Sequence, residues 1–304
     1  MLGQKYDLYV ISIGCMDCYN YRKCAQSPIK VESEFMKTPI AISAAIFALL
    51  ASLPTMASAG TIASHLAVYD VGLAKNQPAN AMIAGVEGRF VLTMQKVCGG
   101  WIMQQESAME MQTREGGIVP DFMNFSAWEA LDGGSYRFSV SRNNDAATTI
   151  LGDASISNGN NVARFQKPEK VEFKLPKGVL LPTAHTRELI ARAEKGETQY
   201  NATTFEGTEV GGAKLISTFI SKLKAKNGSA DKTEMVDDDN LTKRPGWTVH
   251  VAYFDPETPS PEPLYEIESD MLDNGIATRI QINFAGFNTE MILKQIKAIP
   301  ANDC

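Results

Sequence analysis

Five cysteines, at 15, 18, 24, 98 and 304, and three histidines, at 65, 185 and 250, are the side chains in this sequence best suited to nucleophilic, redox or metal chemistry. Cys15-x-x-Cys18, with Cys24 close behind, has thiol spacing that permits a metal or redox pair, but no histidine and no fourth ligand lies near it. The histidines are far apart in sequence, so a zinc site or a triad would need them to converge in space. His185 has Glu188 three residues on, at helical reach. A general base oriented by a carboxylate reads that way, and so does a plain helix-capping arrangement. Asp237, Asp238 and Asp239 form an acidic run without the glycine and distal glutamate of a calcium loop, so they are expected on a solvated face. No G-x-S-x-G, H-E-x-x-H or phosphate-loop motif is present. The expectation is a protein without catalytic residues, cofactor or metal, an unrecognised hydrolase built around His185 being the alternative.

Which cysteines reach the working protein depends on a targeting signal. From Met36 the chain reads "MKTPIAISAAIFALLASLPTMASAG": a lysine, an apolar run of about 14 residues from Ile40 to Leu53, then small residues ending at Ala59. Such a run is short for a bilayer span, which takes roughly 20 residues, and no cysteine follows the small residues to accept a lipid. This pattern predicts a secretory signal at 36–59 cleaved between Ala59 and Gly60. The product is then secreted and not an integral membrane protein once processed, with a buried helix or an uncleaved anchor as the other readings. Because a secretory signal normally opens a chain, residues 1–35 are read as an upstream extension and Met36 as the initiator. Cys98 and Cys304 then remain, and in an oxidising compartment a lone pair most economically forms one disulfide. Two free thiols, or a bond between chains, are the alternatives.

The elements that must position these residues are strands. Phe90, Leu92 and Met94 alternate with polar residues, as do Tyr136, Phe138 and Val140, and Val171, Phe173 and Leu175. The same period recurs at Val249, Val251 and Tyr253, and at Ile280, Ile282 and Phe284, with turn residues at 132–134, 158–160 and 273–275. "LPTAHTRELIARAEKGE" breaks the pattern and predicts one helix of about three turns, with Thr183 as N-cap and Gly196 as its stop. It has too few apolar positions for a core of its own and must pack on the curved sheet around it. Residues 222–246 are charged and read as a mobile surface loop, and the prolines of 255–263 as a second irregular connection. Trp101, Trp128 and Trp247 are expected in the core or lining a barrel. The fold class expected is mainly β, one domain over 60–304. A net charge of -6 and a pI near 5.3 argue against a nucleic-acid partner.

Several stretches together resemble the alphaproteobacterial cell envelope integrity family EipB: "HLAVYDVGL" at His65–Leu73, "GRFVLTMQKVCGGW" at Gly88–Trp101 and "LPKGVLLPTAHTRELIARAEKGE" at Leu175–Glu197. They continue with "FEGTEVGG" at Phe205–Gly212, "WTVHVAYFD" at Trp247–Asp255 and "YEIESDMLDNGIATRIQINFAGF" onward to Cys304. The resemblance implies a periplasmic β-spiral, an incomplete barrel with a helix packed at its centre. It also implies a disulfide between a cysteine followed by a G-[YW] pattern and a C-terminal cysteine, places that Cys98 and Cys304 fill. It implies a part in envelope integrity, a link to a periplasmic tetratricopeptide-repeat protein, and no established catalytic activity. Where relatives commonly carry an acidic D-Y-G-D-F, this chain reads "NFAGF" at Asn283–Phe287. The expected function is a non-catalytic envelope factor binding a hydrophobic ligand, lipoprotein or protein partner in its concave face. The alternative is a ligand-free scaffold docking the repeat protein, with the charged loop as one docking surface.

Overall fold

Alternating apolar side chains bury one face of each strand, and a long succession of such strands curls to enclose the buried face. The computed structural model describes residues 61–302 apart from 144, 158, 224–234 and 259. The extension at 1–35, the signal at 36–59 with its Ala59–Gly60 bond, and Cys304 therefore lie outside the described residues. The described residues belong to one compact unit, Met56–Cys304.

Eight strands follow one another as an antiparallel meander: β1 (His65–Leu73), β2 (Ile83–Val97), β3 (Gly100–Thr113), β4 (Ile118–Ala130), β5 (Ser135–Arg142), β6 (Asp145–Ser155), β7 (Val162–Lys167) and β8 (Val171–Lys174). Helix α1 (Pro182–Glu194) comes next, and then β9 (Gln199–Thr204), β10 (Lys214–Lys222), β11 (Val236–Asp237), β12 (Gly246–Phe254), β13 (Tyr265–Leu272), β14 (Ala277–Asn283) and β15 (Asn288–Ala298). Because β15 pairs with β1, all fifteen strands share one sheet that runs from β8 through β1 and β15 to β9. Only β11 is parallel to its neighbour, lying along Gln295 and Ile296 of β15 beyond the end of β14.

The ends of this sheet approach each other without joining as strands. After β8 the chain makes a single parallel bridge, Leu180 to Thr204 of β9, with the Leu180 N–H donating to the Thr203 carbonyl at 2.8 Å. Tyr136 on β5 donates its hydroxyl to the Glu206 carbonyl just past β9, at 2.8 Å. Phe138, Phe165 and Phe205 meet edge to face beneath that contact. Gly207, at φ +72°, lies so close over Phe138 that an added Cβ would come within 2.6 Å of its ring. This is the mainly β fold expected from the alternation, in the form of the incomplete barrel that the resemblance implies, with Phe90, Tyr136, Phe138, Val249, Val251 and Tyr253 all buried.

Helix α1 packs Leu189, Ile190 and Ala193 on Tyr200, Ile216, Ile220 and Val249. It stops where predicted: Gly196 takes φ +77°, and the Gly196 and Glu197 N–H groups donate back to Ala193 and Arg192. Its start differs from the sequence reading. Leu181, not Thr183, is the N-cap residue, with Pro182 opening the helix and no side-chain cap of its own. The cap arrives from β4 instead: the Thr183 and Ala184 N–H groups donate to the two carboxylate oxygens of Glu129 at 2.7 and 2.9 Å. A local motif could not reveal this, because the acceptor lies 54 residues earlier.

The charged segment also needs correction. Residues 224–234 lie outside the described set, but the rest is docked. Asp237 accepts the Leu241 and Thr242 N–H groups at 2.8 and 2.9 Å, and Asp239 accepts the Ala298 N–H at 2.8 Å. The three acids lie on the solvated surface as expected, Asp238 and Asp239 exposed and Asp237 half-exposed, but two of them also hold backbone donors; against desolvation, those hydrogen bonds lower the carboxyl pKa of Asp237. Leu241 packs on the apolar cluster of β1 and β15, explaining why a charged segment stays in place.

Candidate functional site

The histidines are not brought together. His65 is buried at the start of β1 with Nδ1 on the Ala63 carbonyl, and His250 pairs with Glu268 at 2.9 Å on the outer face of β12. His185 has a buried Nε2 with no hydrogen-bond partner among the described residues, and its ring lies 6.2 Å from that of Tyr200. Glu188, the carboxylate in helical reach of it, instead accepts from Arg192 at 2.7 Å. Among the described residues no group of His, Cys, Asp and Glu could hold a metal ion.

Burial pulls the His185 pKa down to about 4, with Glu188 opposing weakly. A histidine whose folded pKa lies below its ordinary value stabilises the neutral-pH fold, and that contribution is lost as pH falls from 6.5 toward 4. The loss expected is on the order of 3 kcal/mol. His65 is shifted the same way by burial, whereas Glu129 and Glu206 are raised by burial and act in the opposite sense. The comparison that isolates His185 is therefore urea unfolding of wild type and His185→Phe across that pH range. The variant should lose less stability on acidification, and parallel curves would refute the assignment.

The sheet does enclose a hollow. β2, β3 and β4 are 15, 14 and 13 residues long, against nine for β1 and eight for β5. Strands of that length span roughly 45 Å, whereas a 13-residue helix spans about 20 Å, so α1 fills only part of the interior. Beyond it lies a cavity of about 450 Å³, to which α1 contributes no residue. Its wall is apolar and rich in methionine: Met109 and Met111 on β3, Met123 on β4, Met291 on β15, with Phe90 and Ile282. Unbranched thioether side chains adapt to occupants of different shape. The few polar groups include Gln105, Ser107 and a pair at the mouth, Asp121 and Arg142, 3.6 Å apart. A volume of this size is within the range of small-ligand pockets, roughly 300–1,000 Å³.

The predicted stripe Ile280, Ile282 and Phe284 lines this cavity, and Ile280 also packs on the neighbouring apolar cluster of β1 and β15. Phe284 lies just past β14 in the "NFAGF" turn and stacks on Phe287 at 5.1 Å, both lining the cavity. Trp101 is buried with Ile62 and Met94, and Trp247 is half-buried against the helix-side core. Trp128 departs from the expected lining role: it faces outward beneath the Arg137 guanidinium, 5.6 Å from its ring centroid. A larger groove of about 710 Å³ runs over that outer surface, among Ser, Gln and Arg side chains. Sequence reasoning did not single out Met109, Met111 or Met123. The period-two pattern at Gly100–Thr113 and Ile118–Ala130 was the signal that could have found them.

Cys98 is exposed in the two-residue turn between β2 and β3, where Gly99 takes φ +74°. The chain end returns to that turn: the Asn302 N–H donates to the Lys96 carbonyl and Gln95 Nε2 to the Pro300 carbonyl, both at 3.0 Å. Among the described residues no helix is long and apolar enough to cross a membrane.

Known proteins share this architecture. A beta-barrel-like protein of a domain of unknown function from Brucella abortus, solved by crystallography, superposes with a TM-score of 0.71, covering 79% of this chain and 99% of that one at 24% identity. The cell envelope integrity protein EipB of Brucella abortus (strain 2308) is 27% identical over 243 residues, 78% of this chain and 85% of the relative. The EipB-like family model matches residues 56–300, which hold every strand, the helix and the whole cavity wall described above, so the chain belongs to the EipB-like family.

Proposed function

We propose that this protein acts in the periplasm in cell envelope integrity, without catalysing a reaction, by holding a hydrophobic ligand or the acyl part of a lipoprotein inside its spiral. The observation that carries this reading is the methionine-lined cavity of about 450 Å³, partly open to solvent and left unfilled by α1. The likeness to the cell envelope integrity protein EipB supports the setting. Export through the signal at 36–59, cleavage before Gly60 and a Cys98–Cys304 disulfide complete the proposal. The return of Asn302 to Lys96, each two residues from one of those cysteines, supports the pairing.

Intact and native mass spectrometry of the protein recovered from its own host tests these points together. The expected product begins at Gly60, is two hydrogens lighter than the reduced chain, and bears an added lipid mass under native conditions. Ser107 points into the cavity from β3, so Ser107→Trp should plug it and weaken binding of the apolar fluorophore 1-naphthylphenylamine by about tenfold or more. Wild-type protein that carries no lipid and binds no fluorophore would instead favour a ligand-free scaffold docking a tetratricopeptide-repeat protein.

A further inference from the structure

The cavity opens beside a part of the sheet that overruns its neighbours. β1 pairs with β2 only from Glu87 onward, and β5 reaches β4 only from Met123 onward. The β2–β3 and β3–β4 pairs continue well past those points, to Ile83 opposite Thr113 and Gln112 opposite Ile118. The overhang is a three-stranded arm. Met82 joins it through the Arg114 N–H, which donates to the Met82 carbonyl at 2.9 Å. Five of the twelve large apolar side chains exposed among the described residues lie on this arm or on the facing turn: Met82, Ile118, Val119, Phe122 and Phe284. Met82 and Ile118 are the two most exposed, at 72% and 65%.

We propose that this arm rests on a lipid bilayer with the cavity mouth against it, so that an apolar ligand passes between lipid and cavity without crossing water. The proposal rests on the cavity reading above. Three observations select lipid over a protein partner. Val119 sits directly opposite Met111, a cavity-lining residue, so the exposed apolar surface is continuous with the cavity wall. Ile118 and Val119 are consecutive in a strand and point to opposite faces, so a partner lying on one face would leave the other wet, whereas a fluid covers both. Pro120, without an N–H, blunts the unpaired edge of β4 against an added strand. Glu87, Glu110 and Pro120 form the next row on the same face as Ile118, two residues or about 7 Å along the strand. That row limits entry to the roughly 5–10 Å typical of interfacial segments. Arg114 and Glu115 at the apex cancel, so anionic lipid is not required.

The test is co-sedimentation of the full processed protein with phosphatidylcholine vesicles, alongside 1-naphthylphenylamine binding in solution. Wild type should bind vesicles with little dependence on salt. Ile118→Asn with Val119→Asn should weaken vesicle binding about tenfold or more while leaving fluorophore affinity unchanged, since neither residue lines the cavity. Wild type that binds fluorophore but not vesicles overturns the docking proposal and leaves the cavity reading standing. Absence of fluorophore binding removes the cavity reading and this proposal with it. Dimers that dissociate in the Ile118→Asn, Val119→Asn variant would assign the arm to a second copy and refute lipid docking.

Discussion

Replacing Glu129 by alanine is expected to destabilise the fold by about 3–4 kcal/mol, read as a lower urea midpoint at unchanged slope. The carboxylate is 2% exposed and accepts two N–H groups from the first turn of α1, where the helix has no side-chain cap of its own. Removing it leaves two buried donors unsatisfied at the positive end of the helix dipole. Burial raises the Glu129 pKa although both hydrogen bonds and Arg187 act to lower it, so part of the carboxylate's contribution is offset by its own desolvation. Glu129→Gln, which keeps one acceptor and sheds the charge, should therefore cost only about half as much. Equal losses in the two variants would show that charge, not acceptor geometry, holds the helix. No loss in either would refute the capping role.

Loss of the proposed Cys98–Cys304 disulfide is expected to be costlier still, on the order of 5 kcal/mol by the chain-entropy model for a loop of about 200 residues. The Cys98→Ser, Cys304→Ser and double variants should unfold at the same lower denaturant concentration, matching reduced wild type. A further loss in the double variant would mean that the cysteines act separately. The bond would fasten the last strand to the β2–β3 turn, next to the seam where β15 meets β1 and joins the two halves of the sheet. Its loss should therefore release the seam first, exposing β1 and β15 amides to exchange before those of β5 to β8.

Much of this architecture is legible in order along the chain. The period-two stripes at Phe90–Met94, Tyr136–Val140 and Val249–Tyr253 give buried strand faces because alternation is a local property of the extended backbone. The length and end of α1 are equally local, fixed by the helical spacing of Leu189, Ile190 and Ala193 and by Gly196. Its beginning is not, since Glu129 reaches Thr183 and Ala184 from another strand. Asp237 and Asp239 are surface acids as the sequence suggests, but the backbone donors they accept are found only once Leu241 has docked and β15 lies alongside.

By itself, then, the sequence determined the mainly β class, the one helix found among the described residues, the lack of a recognisable catalytic motif, and a resemblance along the chain after residue 60 that the EipB-like family model, matching 56–300, bears out. Tertiary structure alone decided which inward-facing residues are wholly enclosed by packing and which also border open space. Met109, Met111, Met123 and Ile282 carry the same alternation signal as Phe138 or Val251, yet they line open space. Periodicity reports which face a side chain points to, but whether that face is filled depends on the lengths of distant elements. Here a 13-residue helix lies inside strands of up to 15 residues, and the apolar wall it leaves uncovered is the candidate site.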